Sequence, residues 1–331
     1  MYLLGVDIGG TKCRVSLGRD EGGELRFVSR GNERAAGERA PTAMLKLLLD
    51  DAERLAKDAA EKPAAIGISC GGPLDRKRGL ILSPPNLPGW DRIGVTAYFQ
   101  AAMGIPAFLQ NDADAGALAE WKYGAGKGCD SLVFITFGTG LGAGLVLNGR
   151  LYSGASGMAG EIGHIRLAEY GPPGYGKTGS FEGFCSGGGI ARLARAMAEA
   201  ELQQGRSPSI CPGYGDLENL SAKSVGRAAE KGDPLARQIY AEAGRRLGQG
   251  LSIIIDTLNP EMIVIGSIFA RSRNELWPHA EEVIKKETLS ASREACRVVP
   301  GILGDEIGDY AAVTAAKYGL ETTIGAGNFY G

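Results

Sequence analysis

Two glycine-rich turns in the sequence each carry a threonine and have the composition of a phosphate-binding turn. The first is Asp7-Ile8-Gly9-Gly10-Thr11-Lys12, and the second is Gly138-Thr139-Gly140. Glycine lets backbone N–H groups approach a phosphate closely, and threonine adds a hydroxyl. Asp7 is suited to hold Mg²⁺ through water, although an ordinary hairpin turn is the alternative interpretation. The second turn is not directly followed by a helix, so a dinucleotide site is not expected.

A carboxylate suited to proton transfer follows the segment Gln110-Asn111. Asp112 lies where a short predicted strand turns into a helix, a position that presents side chains at the mouth of a cleft. A carboxylate within hydrogen-bond reach of an alcohol accepts its proton as the alcohol attacks. Aspartate is also favoured as a helix N-cap, and the two roles are compatible. Asp112 is therefore the candidate general base, with N-capping as the alternative.

A third group of polar residues lies in the segment from Gly154 to His164, which is rich in small residues. It contains Glu161 and His164, and the chain has only two histidines. A glutamate and a histidine in a glycine-rich loop can hydrogen-bond the hydroxyls of a polar ligand. A structural role is the alternative for His164 and the interpretation we prefer for His279. The loop is thus predicted to recognise hydroxyl groups.

The elements that must position these residues follow from the hydrophobic pattern. Two related halves begin roughly 130 residues apart, each with a strand, a glycine turn and a returning strand. Strands are predicted over 3–7, 13–17, 25–29, 64–69, 107–109, 132–137, 143–147 and 262–265. Helices are predicted over 41–62, 112–123, 191–200, 234–257 and 309–318. We expect the last helix to return to the N-terminal lobe, which would make that lobe discontinuous in sequence.

Length and composition favour a globular protein that binds small molecules. The chain has 331 residues, 44% of them hydrophobic and 22% charged, with a formal net charge of −2. This length predicts two lobes with a crevice. No basic surface typical of nucleic-acid binders, no apolar run near the ~20 residues that span a bilayer and no signal peptide are recognisable. The six scattered cysteines argue against a disulfide framework or a cysteine metal site, so a reducing cytoplasm is expected.

The order of these motifs resembles that of the ROK family of sugar kinases. The matching segments are Asp7 to Lys12, Asn111-Asp112, Gly138-Thr139-Gly140 and Gly160-Glu161-Ile162-Gly163-His164. Further matches at Gly71-Gly72-Pro73, Ser83 to Trp90, Pro260 to Gly266 and Leu303-Gly304-Asp305 extend the resemblance over nearly the whole chain. The resemblance implies an actin-like, hexokinase-like (ribonuclease H-like) α/β fold, duplicated and two-lobed, with a central cleft.

The resemblance also implies roles for individual residues. Asp112 becomes the catalytic base, and Asp7 a Mg²⁺ ligand through water. Sugar contacts are implied at Gly72, Asn86, Asn111, Asp112, Glu161, His164 and Glu182. Contacts to ATP or its phosphates are implied at Asp7, Gly9, Gly10, Thr11, Lys12, Gly138, Thr139, Gly140, Gly187 and Gly266. The smaller N-terminal lobe is expected to comprise residues 1–112 with about 309–331, and the larger C-terminal lobe residues 113–308.

The expected activity is ATP-dependent phosphorylation of a hexose at its 6-hydroxyl, with ATP and Mg²⁺ as cofactors. Glucose is the preferred substrate, while fructose, N-acetylmannosamine and N-acetylglucosamine are alternatives. A remote alternative is a non-catalytic, sugar-sensing transcription regulator, because ROK relatives include repressors. The strand with Asp7 begins at residue 2 and is expected to leave no room for a helix-turn-helix before it. A homodimer without nucleic-acid or membrane partners is the expected assembly.

Three departures from the family pattern bear on these expectations. Many members carry a zinc-binding Cys-x-Cys-Gly-x-x-Gly-Cys motif where this chain has Pro173 to Ser180. Structural zinc needs four N or S ligands, so none is expected here. Asp114 stands where an asparagine is often found, and Ser267 replaces one glycine of a Gly-Gly pair near the adenosine. Both positions are candidates for a change in substrate or nucleotide preference.

Overall fold

The computed structural model describes residues 1–36 and 39–327, which form two compact units. Unit 1 consists of Met1–Cys129, Gly144–Ala159 and the C-terminal segment from Ile302, and unit 2 of Asp130–Ala143 and Gly160–Gly301. The strands are β1 (Tyr2–Ile8), β2 (Lys12–Asp20), β3 (Leu25–Arg30), β4 (Arg34–Ala35), β5 (Ile66–Cys70), β6 (Leu74–Asp75), β7 (Leu80–Leu82), β8 (Asp91–Gly94), β9 (Ala107–Asn111), β10 (Leu132–Phe137), β11 (Leu141–Leu147), β12 (Arg150–Tyr152), β13 (Pro173–Gly174), β14 (Lys177–Thr178), β15 (Met262–Ile265) and β16 (Arg297–Pro300).

The helices alternate with these strands along most of the chain. The α-helices are α1 (Pro41–Ala56), α2 (Val95–Met103), α3 (Asp112–Tyr123), α4 (Phe181–Phe184), α5 (Gly187–Gln203), α6 (Ala222–Glu230), α7 (Pro234–Leu258), α8 (Ile268–Arg271), α9 (Arg273–Glu287), α10 (Ser290–Ala295) and α11 (Ile307–Gly327). Short 3₁₀ helices span Ile162–His164, Tyr214–Asn219 and Gly304–Glu306. In the described part of the chain, no helix combines the length and apolar character needed to cross a membrane.

The main sheet of unit 1 has the strand order β3-β2-β1-β5-β9. Strands β1, β2 and β3 form an antiparallel meander, whereas β1, β5 and β9 run parallel. One face packs against α1, whose first residue is Pro41 and whose apolar stripe is buried. The other face contacts α11. A buried sheet covered on both faces is expected to have nearly continuous apolar strands, and in β5 all five residues are buried and only Ser69 is polar.

Two glycines let α11 lie directly on this sheet. A Cβ atom at Gly67 would lie 2.0 Å from the carbonyl oxygen of Ala312, and one at Gly5 would lie 2.7 Å from the backbone nitrogen of Val313. Real Cβ atoms do not approach backbone atoms this closely, so a larger residue at either position would push the helix away. These glycines therefore serve packing, unlike the glycines of the turns.

Unit 2 contains the parallel strands β10, β15 and β16, with β15 in the middle. Helix α7 is its longest helix and packs against α5, α6 and α9. Its N-terminus follows from the sequence, because Asp233 accepts a hydrogen bond from Ala236 N and Pro234 occupies the first helical position. Asn259 ends the helix in a left-handed conformation. Strand β11 begins in unit 2 and ends in unit 1, where it pairs with β12.

Each predicted strand and helix has a counterpart in the structure, and α3 and β10 have the predicted bounds. Helix α1 was predicted to reach Lys62 but ends at Ala56, just after its apolar stripe ends at Leu55. The predicted lobe division, 1–112 with about 309–331 against 113–308, stays a prediction. The compact units differ from it because unit 1 also includes Gly144–Ala159, a final segment that begins at Ile302, and α3, which packs on α11. Residues 328–331 of the predicted lobe lie outside the described residues.

Candidate active site

Three predicted site segments of unit 1 follow strands that end at the same edge of the sheet. In the parallel register, Ile8 pairs with Cys70, and Cys70 pairs with Asn111. The chain therefore leaves this edge at the first glycine turn, at Gly71-Gly72 and at Asp112. Ligands bind at the carboxyl ends of parallel strands in many α/β proteins. The topology thus brings together a phosphate-binding turn, a glycine pair and a carboxylate.

Asn111 and Asp112 form the start of α3. The Asn111 side chain is the N-cap, because it accepts hydrogen bonds from Ala113 N (2.9 Å) and Asp114 N (3.3 Å). Asp112 is the first helical residue, and its Oδ1 accepts a bond from Ala113 N (2.8 Å). The alternative role of Asp112 as the N-cap is therefore wrong, since Asn111 fills it. A Cβ atom at Gly71 would lie 3.7 Å from Asp112 Oδ2, so Gly71 lies beside this carboxylate.

Two carboxylates with raised pKa values, Asp7 and Asp112, lie at this edge. Burial raises the pKa of Asp112, while hydrogen bonds to backbone N–H groups oppose that shift. The pKa of Asp7 is raised to about 7, first by burial and then by the negative charges of Asp112 and Asp309. Lys12 and Arg14 act in the opposite direction. A cation bound here would favour the ionised carboxylates, because it would offset their mutual repulsion.

The first glycine turn is a hairpin between β1 and β2, as predicted. Gly9 N donates to Lys12 O over 3.0 Å, and Gly10 and Thr11 are exposed. A Cβ atom at Gly10 would lie 2.5 Å from Asn86 Cβ, so the predicted sugar contact Asn86 packs against the predicted phosphate turn. Lys12 Nζ forms an ion pair with Glu33 Oε1 at 2.7 Å. Sequence reasoning did not identify Glu33, which carries no recognisable motif.

A buried ion network connects the end of the chain to the strand that follows this turn. Asp309 accepts hydrogen bonds from Ser16 Oγ (2.6 Å), Arg14 Nε (2.9 Å) and Arg30 Nε (3.1 Å), and it also pairs with Arg14 Nη2. A Cβ atom at Gly308 would lie 2.5 Å from Asp7 Oδ2. This network joins α11 to β2 beside Asp7. The sequence carried no signal for it, because Asp309 and Arg14 are 295 residues apart.

The second glycine turn lies in unit 2 with two other predicted nucleotide contacts. Gly138 N donates to Gly140 O, and Gly187 N donates to Gly138 O over 2.7 Å. Gly187 begins α5, where Ser186 caps the helix by accepting from Gly189 N. Gly266 N donates to Ile135 O in β10. The positive end of the α5 dipole lies beside the exposed Thr139, which is favourable for an anion, whereas the N–H groups of Gly187, Gly188 and Gly189 already donate to Gly138 O, Thr139 O and Ser186 Oγ.

The predicted sugar contacts of unit 2 lie close to this turn. Glu182 Oε2 accepts from Leu141 N (3.0 Å), and a Cβ atom at Gly140 would lie 2.9 Å from the same oxygen. The His164 ring meets Tyr175 edge to face, with centroids 5.3 Å apart. Glu161 precedes the 3₁₀ helix Ile162–His164 and is exposed. Glu182 thus also holds the turn in place, which sequence reasoning did not predict.

The segment that replaces the zinc motif is held by hydrogen bonds. Arg166 Nη1 donates to Thr178 O (2.7 Å), and Lys177 Nζ donates to His164 O (2.5 Å). The nearest cysteine in sequence, Cys185, is buried and donates to Ala243 O, and burial raises the pKa of its thiol well above the usual range. Within residues 1–36 and 39–327, no group of three or more His, Cys, Asp or Glu side chains is arranged to hold a metal.

We expect purified protein to contain far less than one zinc ion per chain and to keep its activity after mild chelation. The reason is chemical: a tetrahedral structural site needs four deprotonated N or S ligands, and His164 alone remains of the family's motif. Elemental analysis before and after dialysis against a chelator measures this directly. About one zinc per chain that resists chelation and is needed for activity would contradict the prediction.

The chain is similar to known proteins over nearly its whole length. The family model described as the ROK family matches residues 3–317. A glucokinase from Thermotoga maritima is 30% identical over 319 residues, which cover 96% of this chain and 98% of that protein. A solved ROK hexokinase from Thermus thermophilus is 29% identical, with a TM-score of 0.80 over 97% of this chain and 100% of that one.

A ROK family transcriptional regulator, a homologue of the E. coli MLC protein, has a similar structure. It is 27% identical with a TM-score of 0.79, and the match covers 95% of this chain but 77% of the regulator. The likeness to these solved structures confirms the predicted α/β sugar-kinase fold.

Proposed function

The chain belongs to the ROK family and phosphorylates a hexose with ATP, and from that premise we propose that glucose is the hexose, its 6-hydroxyl the acceptor and Asp112 the general base. The observation that carries this proposal is the edge of the unit 1 sheet. There, Asp112 is the first residue of α3 after the N-cap Asn111, and Asp7 lies near the end of β1, just before the turn whose Gly10 and Thr11 are exposed. A base and a phosphate-binding turn are two of the parts that phosphoryl transfer to an alcohol uses.

In this proposal Asp112 accepts the proton of the attacking hydroxyl. Desolvation raises the pKa of Asp112, which makes the carboxylate a better proton acceptor while the backbone N–H of Ala113 keeps it oriented. Asn111 is fixed by its capping bonds, and its amide group remains suited to hold a sugar hydroxyl. Gly72 lies beside Asn111, since a Cβ atom there would be 3.5 Å from its Nδ2.

The proposal assigns ATP to the two glycine turns, with Asp7, Gly9, Gly10, Thr11 and Lys12 in unit 1. Gly138, Thr139, Gly140, Gly187 and Gly266 are the corresponding residues of unit 2. Asp7 fits a Mg²⁺ ligand, because Mg²⁺ is commonly held by one or two carboxylates together with substrate phosphates, and the neighbouring Asp112 adds negative charge. When bound, Mg²⁺ would neutralise charge on the phosphates. Lys12 would share its charge between Glu33 and phosphate.

The sugar contacts proposed here are Gly72, Asn86, Asn111 and Asp112 in unit 1 and Glu161, His164 and Glu182 in unit 2. Measuring ADP release with a panel of hexoses at saturating ATP tests the substrate. We expect glucose to have the highest kcat/KM, with fructose, N-acetylmannosamine and N-acetylglucosamine lower, and phosphate to be attached at O6. A higher kcat/KM for an N-acetylhexosamine would contradict glucose while leaving the kinase activity intact.

A sugar-sensing transcription regulator is the second candidate, and the similarity to the solved ROK regulator favours it. The same assay separates the two functions. A regulator without catalysis would bind a sugar and produce no sugar phosphate, whereas a kinase consumes ATP in proportion to the sugar added. The carboxylate and both glycine turns support the kinase.

Gly138→Val is expected to weaken ATP binding at least about tenfold while changing sugar affinity little, because a branched side chain would keep phosphate from the turn. No atom lies within 4 Å of a Cβ built at Gly138, so the variant is expected to fold normally. Calorimetry with an ATP analogue and with glucose measures both affinities. Gly10→Val is a poorer test, because its Cβ would collide with Asn86. An unchanged nucleotide affinity in folded Gly138→Val would remove this turn from the ATP site.

We also propose that the protein acts in the cytoplasm as a homodimer. All six cysteines are free thiols, and five of them are buried, which is compatible with a reducing compartment. Sedimentation velocity measures the oligomeric state, and a monomer at micromolar concentration would contradict the dimer.

A further inference from the structure

A cavity of about 500 Å³ lies within unit 1, and its lining includes none of the residues assigned above to the sugar or to ATP. Its walls come from the β6–β7 turn, α2, β9 and α11. Arg76, Lys77, Thr96, Gln100 and Tyr318 are among the polar lining residues, and alanine and leucine side chains form an apolar part of the wall. This volume is in the range of about 300–1,000 Å³ that is typical of small-molecule sites.

The charge of this cavity distinguishes it from two other cavities of the structure. Arg76, Lys77 and Arg78 are consecutive cations that line it, and no carboxylate does. A cavity in unit 2 combines Lys231 with Asp233, and another in unit 1 combines lysines with a glutamate. Among the described residues, neither Lys77 nor Arg78 forms an ion pair through its side chain. Asp75 accepts a bond from the backbone of Arg78 but does not line the cavity.

Arg76 links this cavity to the start of α3. Its Nη1 donates to Gln110 Oε1 over 2.6 Å and lies 3.6 Å from Asp114 Oδ2. Gln110 Oε1 also accepts from the backbone nitrogen of Asn111 (3.3 Å), the residue that caps the helix. The buried carboxylate of Asp114 accepts a further bond from Ser153 Oγ (3.1 Å). The guanidinium that lines the cavity is therefore bonded to residues on both sides of Asp112 in the sequence.

We propose that this cavity binds a hexose 6-phosphate, the class of compound that the reaction produces, and that binding there changes the orientation of Asp112 through Arg76. The cations suit a phosphate group, and the hydroxyls of Thr96 and Tyr318 with the amide of Gln100 suit sugar hydroxyls. A phosphate that attracts Arg76 weakens its bonds to Gln110 and Asp114. The first turn of α3 then loses part of the support that orients the base, and turnover falls. This last step rests on the proposed function, whereas the binding itself does not.

Calorimetry on the full-length chain tests the binding. Glucose 6-phosphate is titrated into protein saturated with the ATP analogue AMPPNP, so that the phosphate-binding turns are occupied. We expect Lys77→Gln with Arg78→Gln to lower the affinity at least about tenfold, because two charge-assisted contacts to phosphate are lost. Lys57→Gln with Lys62→Gln is the matched control, since these exposed lysines line the other cavity of unit 1, and it is expected to bind normally.

The outcomes of this titration are distinct. Absence of binding at millimolar glucose 6-phosphate, or equal affinity in the Lys77/Arg78 variant, overturns the site. Inorganic phosphate that binds as tightly as glucose 6-phosphate overturns the choice of a sugar phosphate. Failure of AMPPNP to bind would instead count against the proposed nucleotide site, so the two failures are distinguishable.

Steady-state kinetics tests the coupling. With glucose and ATP both saturating, added glucose 6-phosphate is expected to lower kcat of the native chain and to leave kcat of Lys77→Gln with Arg78→Gln unchanged. Inhibition that only raises KM for glucose, or that persists in this variant, overturns the link through Arg76. A chain without kinase activity on any hexose contradicts the proposed function, and the calorimetric result for the cavity still stands.

Discussion

Replacing Asp112 with asparagine is expected to lower kcat with ATP and the best hexose by at least about a hundredfold, the effect typical of losing a general base. The amide has nearly the shape of the carboxylate, and its oxygen still accepts the hydrogen bond from Ala113 N. The N-cap is Asn111 and not Asp112, so the start of α3 is expected to persist. Hexose affinity should therefore change little, and the loss should appear in kcat instead of KM.

Single-turnover kinetics and calorimetric sugar binding on the same preparation measure this effect. Asp50→Asn is the matched control, because Asp50 is exposed on α1, and its kcat is expected to equal that of the native chain. Near-normal turnover by Asp112→Asn would show that another group accepts the proton. Loss of sugar binding together with turnover would show that the residue mainly positions the substrate.

Asp309→Ala is expected to lower the free energy of unfolding of unit 1 by about 3 kcal/mol, the lower end of the range for breaking a buried ion pair. The Asp309 side chain is 1% exposed and accepts bonds from Arg14, Arg30 and Ser16. Its removal leaves two guanidinium groups without their main partner and loosens α11 from β2. We expect the lower end of this free-energy range because the side chains of Arg14 and Arg30 are partly exposed, at 20% and 33%. Arg14 also retains its ion pair with Glu33.

Urea unfolding of the two variants Asp309→Ala and Glu306→Ala makes this prediction specific. Glu306 also pairs with Arg30, at 2.6 Å, but its side chain is 53% exposed, so its loss is expected to cost under about 1 kcal/mol. Asp309→Asn, which keeps an acceptor for Ser16, should lie between the two. Equal unfolding midpoints for Asp309→Ala and Glu306→Ala would contradict a stabilising role for the network.

Several elements could be predicted because their signals lie within one short segment, whereas helices α2, α6 and α9 have no predicted counterpart. Helix α3 has the predicted bounds since a capping asparagine and a helical composition lie within one short segment. Strand β10 is apolar except for Thr136 and ends at a glycine turn. The strands β6, β7 and β8 were missed, because segments of two to four residues are too short to show a period of two.

The sequence alone determined which residue types are available for chemistry: the two glycine-threonine turns, the Asn111-Asp112 step and the absence of the family's cysteine motif. Each of these features consists of neighbouring residues, so it can be recognised in the sequence itself. The sequence alone could not show that Asn111 caps the helix while Asp112 does not, because both residues are good caps and only backbone geometry distinguishes them.

Only the tertiary structure decided how these residues act on one another. Asp309 pairs with Arg14 from 295 residues away, Gly10 packs against Asn86, and Asp7 acquires a pKa of about 7 from burial and from Asp112 and Asp309. Electrostatic and packing energies depend on distance in space and on the exclusion of water. Distances in space and the exclusion of water are set only when the chain folds and brings distant segments into contact, so they cannot be read from the order of the residues.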